Sequence, residues 1–86
     1  MPTNDQVRKA LRSFILTNFL PGEDPATLED STLLISSGVI ASLSLLELAT
    51  FIEVEFSIAL LPQDLGIEHM DSIDLLVQLV ARRSGR

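Results

Sequence analysis

The chain of 86 residues carries a formal net charge of −6, is 47% hydrophobic and contains no cysteine. That length fits one domain, residues 1–86, with a single modest core, and the lack of cysteine removes disulfide scaffolds, thiolate metal sites and thiol catalysis. No apolar run approaches bilayer length, and the start, Met-Pro-Thr-Asn-Asp, lacks a signal peptide's basic and apolar stretches, so a cytoplasmic protein away from membranes is expected.

The first helix is expected from Thr3 to Asp5 onward, where cap-type residues precede Val7, Leu11, Phe14, Ile15 and Phe19 at helical spacing. Pro21-Gly22 stops it. A long connection then runs to Ala41 through Pro25, paired acids and a Ser/Gly cluster, with Leu33, Leu34 and Ile35 able to pin it to the core. Connections this long in small domains are often functional.

A second helix is expected from Ser42 to Phe56. At about 100° per residue, Leu45, Leu48, Ala49, Ile52 and Phe56 form its buried stripe. Leu43, Glu47, Thr50 and Val54 share another face at i, i+4, i+7 and i+11, which reads as a protein-contact surface. Leu46 and Phe51 are expected to be covered by neighbouring elements. After Pro62 there is room for a short helix around Gln63 to His69. A last helix follows, capped by Asp71 or Ser72, with Ile73, Leu76, Val77 and Val80 facing inward and residues 82–86 as a polar tail. The fold class is all-α: a small bundle of three main helices plus one short helix, with a long loop between helices 1 and 2 and one long crossover.

Charge is unevenly placed. Arg8, Lys9, Arg12, Arg82, Arg83 and Arg86 sit at the two ends, and from Ser13 to Ala81 there is no lysine or arginine. The acidic midsection repels nucleic acid and steers basic partners. Its simpler reading is that the acids keep a greasy domain in solution.

Enzymatic readings find little support. His69 is the sole histidine, and no G-x-S-x-G elbow surrounds a serine, so a serine hydrolase is not expected and His69 reads as a helix-end residue. No paired Glu-x-x-His or EF-hand spacing marks a metal site. Four glycines, never in a phosphate-cradling pattern, argue against a nucleotide enzyme.

Gly38-Val39-Ile40-Ala41-Ser42-Leu43 leading into "LSLLELATFIEVEF", together with the later "HMDSIDLLVQLV", resembles the phosphopantetheine-dependent carrier proteins of fatty-acid, polyketide and nonribosomal peptide pathways. The resemblance covers nearly the whole chain. It implies a non-enzymatic, free-standing, monomeric acyl or aminoacyl carrier, with 4'-phosphopantetheine from coenzyme A joined to Ser42 and cargo held as a thioester. The partners it implies are a phosphopantetheinyl transferase, a loading ligase and downstream transferases, which would read Leu43, Glu47, Thr50 and Val54. A helix N-terminus suits the phosphate.

The family's residue before the serine is nearly always Asp, and here it is Ala41. An Asp replaced by Ala, a natural tolerance of Ala, and a carrier-like chain that is no longer modified are all open. Asp71-Ser72-Ile73-Asp74 matches Asp-Ser-hydrophobic more closely, and reads as a helix cap. The alternative function is a helical adaptor that binds a protein through the same acidic, apolar face without a cofactor. A regulatory fragment dimerising through exposed leucines is a weaker third.

Overall fold

The computed structural model describes residues 3–84, and among them there is no strand. Helix α1 spans Asn4–Phe19. Thr3 caps it: its hydroxyl accepts from the Gln6 amide while the Gln6 side chain accepts from the Thr3 amide, a reciprocal pair that satisfies two otherwise orphaned donors. The helix buries Val7, Leu11 and Ile15, and Phe14 and Phe19 are half-buried beside them.

Helix α2 spans Leu45–Phe56 and follows directly on a tight 3₁₀ turn, Ser42–Ser44, so the helical stretch has the expected extent but a tightened first turn. Ala41 offers no side-chain cap there. Leu48, Ala49 and Ile52 are buried, and Leu45 and Phe56 pack against the core at its edge. Ser57 closes the helix in the left-handed region at φ 54°. The expected short helix is split into a turn at Pro62–Asp64 and the single-turn helix α3, Ile67–Met70. Helix α4 spans Ile73–Arg83, with Ser72 as its cap, accepting from the Leu75 amide at 3.2 Å. Arg82 and Arg83 therefore belong to α4 and not to a polar tail; residues 85 and 86 lie outside the described residues.

The architecture is a small all-helical bundle in which α1 packs on α4 and α3 on α4. Its core joins Val7, Leu11 and Ile15 to Leu48 and Ile52 and to Ile73, Leu76, Leu79 and Val80. Met70, Ala49, Val77 and three residues of the long connection, Leu28, Leu34 and Ile40, complete it. Of the apolar patch at 33–35, Leu34 is buried and Ile35 half-buried, while Leu33 stays exposed.

Polar groups at the bundle's edges hold its non-helical segments. Asp71 is buried, and its Oδ1 accepts from the amides of Leu34, Ile35 and Ser36 at 3.1, 2.7 and 2.9 Å. Its Oδ2 accepts from the Ser36 hydroxyl at 2.5 Å. The Leu34 amide also reaches the Asp71 carbonyl at 2.7 Å, and the Ile40 amide closes the loop on the Leu34 carbonyl at 2.9 Å. Between them the chain reverses at Gly38, whose φ of +86° suits glycine. On α1, Arg8 joins Asp30 at 2.9 Å and Asp74 at 3.1 Å, and Arg12 donates to the carbonyls of Leu28 and Pro25. On α4, Arg83 grips buried Asp64 through both carboxylate oxygens at 2.7 and 2.8 Å.

These contacts set two carboxylates below their usual range. The Arg83 hydrogen bond lowers Asp64 from 3.8 to about 2 against the opposing effect of burial. Burial pushes Asp71 up, but the bonds from Ser36, Ile35 and Leu34 outweigh it and hold its carboxyl low. Both groups are more acidic folded than unfolded, so they bind fewer protons when folded and their contribution is complete above the unfolded carboxylate range. Stability measured by urea unfolding should thus be flat near neutrality and decline as pH falls below about 4 toward 2. Asp71→Ala leaves the amides of Ile35 and Ser36 without an acceptor, while Leu34 keeps the Asp71 carbonyl, and should lower stability by about 1–3 kcal/mol, with Ile35 and Ser36 losing hydrogen-exchange protection. Asp71→Asn, which keeps one oxygen for the amides, should recover much of that loss.

Candidate functional site

The loop tied by Asp71 ends two residues before Ser42. Because Leu34 and Ile40 are both buried and hydrogen-bonded to each other, the chain leaves the core at a fixed point. The Ser44 amide then bonds the Ala41 carbonyl at 2.9 Å, which sets the turn that starts at Ser42. Ser42 is exposed, and among the described residues its hydroxyl has no hydrogen-bond partner. No side chain caps this helix start, so its first amides face solvent without a side-chain acceptor.

The residues expected to form a contact face are all exposed, Leu43 in the turn before α2 and the other three on α2 itself. Leu43 is 88% exposed and Val54 75%, and Glu47 and Thr50 are exposed between them. The Thr50 hydroxyl donates to the Leu46 carbonyl at 2.8 Å, which spends its proton on the helix and presents its methyl outward. Leu46 departs from expectation: it is 64% exposed, because α1 approaches its side of α2 only far enough to leave an open groove there. Phe51 is half-buried as expected, stacked on Phe14 of α1 with ring centroids 4.1 Å apart and planes at 17°.

That stacked pair brings α1 and α2 together and leaves a groove of about 580 Å³ between them. Leu46, Glu47, Thr50, Phe51, Val54 and Glu55 line it from α2, and Phe14 and Asn18 from α1. Leu43 stands outside it. The α1 residues and Glu55 were not legible as site residues. Phe14 and Asn18 do lie at i, i+4 on one face of their helix, but only tertiary packing shows that this face meets α2.

The electrostatics of this face are simpler than the composition suggests. Arg8, Arg12 and Arg83 are engaged with the connections and with Asp30, Asp74 and Asp64. Glu53 is occupied as well, accepting from the Leu60 amide at 2.9 Å. Glu47 and Glu55 have no ion pair among the described residues, so this part of the α2 surface carries negative charge without a neighbouring cation.

Other sequence candidates take structural roles. Ser72 is buried and committed to the α4 cap. His69, half-buried on α3, lies with Nδ1 3.3 Å from an Arg82 guanidinium nitrogen. Among the described residues there is no cluster of three or more histidine, aspartate or glutamate side chains placed for a metal ion. Among the described residues no helix is long and apolar enough to cross a membrane.

Comparison of the chain with protein-family models, with curated proteins and with solved structures returned no match in any of the three. The functional reading therefore rests on the serine, its loop and the α2 surface. Because Leu46 and Val54 are exposed while Phe51 is an interhelical contact, truncating them should separate surface from fold. Leu46→Ser and Val54→Ser should each stay within about 0.5 kcal/mol of the parent in denaturant unfolding. Phe51→Ala should lose about 0.5–1.5 kcal/mol for the ring pair, beyond the buried area it removes.

Proposed function

We propose that this protein is an acyl or aminoacyl carrier that holds its cargo as a thioester on a 4'-phosphopantetheine arm attached to Ser42. The observation that carries this reading is an exposed, unpartnered serine hydroxyl at the start of a helical stretch, delivered there by a loop anchored at Asp71. Such a serine lacks a neighbouring base. A carrier needs none, because a separate transferase activates the hydroxyl.

The residues fit the group. A phosphodiester on Ser42 would lie where the helix dipole is positive and where Ala41 leaves the first amides without a side-chain acceptor. Bound there, the arm supplies a thiol on which an acyl group can be carried. The chain's own contribution is placement: Ile40 anchors the approach, Ser42 stays in solvent, and α2 presents a readable face. On that face Leu43, Glu47, Thr50 and Val54 offer apolar contact and negative charge to a transferase, a loading ligase and downstream enzymes bearing basic surfaces. Ala41 in place of a capping acid removes an N-cap acceptor, a loss of about 1 kcal/mol to the helix start that the rest of the core can absorb. The exposed Leu43, Leu46 and Val54 also favour a second reading, an adaptor that docks a protein on this face with no covalent group.

Intact-mass measurement and peptide mapping decide between them, after incubation with coenzyme A, magnesium and a broad-specificity phosphopantetheinyl transferase. One phosphopantetheine on Ser42 is expected, absent from Ser42→Ala and retained in Ser72→Ala. Gain only in an Ala41→Asp variant would identify Ala41 as the block to modification. No gain in either background, or gain on Ser72, overturns the carrier reading and leaves the adaptor.

A further inference from the structure

The groove between α1 and α2 is apolar along its floor and singly signed at its rim. The stacked Phe14 and Phe51 rings form the floor, and Leu46, Thr50 and Val54 form one side. Glu47 and Glu55 belong to the same lining and have no ion pair among the described residues. A volume of about 580 Å³ lies within the range of small-ligand sites, roughly 300–1,000 Å³. Apolar walls alone would accept any greasy molecule. Two carboxylates without a cation narrow the choice, because they repel an anion and attract an ammonium.

We infer that this groove holds the cargo itself, and that the cargo is an apolar group bearing a free amine: an aminoacyl group with an aliphatic or aromatic side chain. The side chain lies over the Phe14 and Phe51 rings, and the ammonium faces Glu47 or Glu55 at the rim, within reach of an aromatic face. This inference rests on the proposed attachment at Ser42 for its tethered form, and the spacing suits it. Leu46 is one turn beyond Ser42, and Val54 lies about 18–20 Å along the axis at 1.5–2 Å per residue. A tether from Ser42 raises the cargo's effective concentration to the millimolar range, so a groove open to water needs only weak intrinsic affinity. A basic partner helix could cover the same face. Cargo is favoured because the cavity is ligand-sized and starts beside the serine. In addition Leu43, the most exposed large apolar residue, stands outside the groove and is free to meet a partner while the groove is filled.

The test begins with the unmodified, isotope-labelled chain, so that it does not depend on Ser42 being loaded. Titration with 2-phenylethylamine should give saturable NMR shifts at Phe14, Thr50, Phe51 and Val54. 3-Phenylpropionate should bind about tenfold more weakly, the sign of its charge now opposing the rim. The preference for amine over acid should vanish in a Glu47→Gln/Glu55→Gln double variant and persist in Glu68→Gln, which removes one charge at a distant exposed site. Where Ser42 accepts the arm, a phenylalanyl thioester should shift the same groove residues more strongly than a 3-phenylpropionyl thioester, which is neutral and lacks the ammonium, and the difference should vanish in the Glu47→Gln/Glu55→Gln variant. A failed attachment shows as missing mass, whereas a failed groove shows as missing shifts. Equal binding of acid and amine, or no saturable shift with the amine, overturns the proposal. So does a groove that responds only to a cationic Leu/Lys helical peptide, which makes it a macromolecular surface.

Discussion

The long connection that leads into Ser42 depends on the buried carboxylate of Asp71. It stands where α3 hands over to α4, and it receives three successive amides and a hydroxyl from the loop between α1 and α2. A buried ionised group is costly unless it is fully hydrogen-bonded, and this one is satisfied on both oxygens. The arrangement works in both directions. The loop amides would otherwise need water in a partly buried place, and the carboxylate would otherwise be an uncompensated charge.

The remaining charged clamps follow the same logic. Arg12 satisfies loop carbonyls, Arg8 ties the loop and the start of α4 to α1, and Arg83 holds the turn before α3 through buried Asp64. The half-exposed pairs of Arg8 and Arg12 contribute little individually, so their importance here is geometric. They hold in position long segments that lack regular structure, leaving the core to supply most of the stability through Leu11, Ile15, Leu48, Ile52, Leu76 and Leu79. The clamps also engage Arg8, Arg12 and Arg83 away from α2, where Glu47 and Glu55 have no ion pair among the described residues.

The helices were legible because their apolar spacing and caps agree: Thr3 and Ser72 cap where cap chemistry predicts, and the inward stripes of α1, α2 and α4 are the buried ones. What was not legible is tertiary by nature. Asp71 reads locally as a cap because nothing in its neighbourhood announces donors at residues 34–36. Leu28 and Ile40 lie in a stretch without periodicity and are nonetheless buried. Leu46 was misjudged for the opposite reason, since helical spacing cannot tell whether a neighbour exists to cover an apolar side chain. Of the candidate site, Ser42 and its four companions on α2 were readable from one helix, whereas the groove needed the Phe14–Phe51 stack that joins two.

The Asp71 contact also bears on the order of events during synthesis. The loop amides that position Ser42 are made some 35 residues before the side chain that accepts from them. Until the ribosome has released the segment around residue 71, the amides of Leu34, Ile35 and Ser36 lack their acceptor. The loop ahead of Ser42 is thus locked only once α4 can begin, so a chain cut before residue 71 keeps the serine but loses the clamp that holds the loop before it.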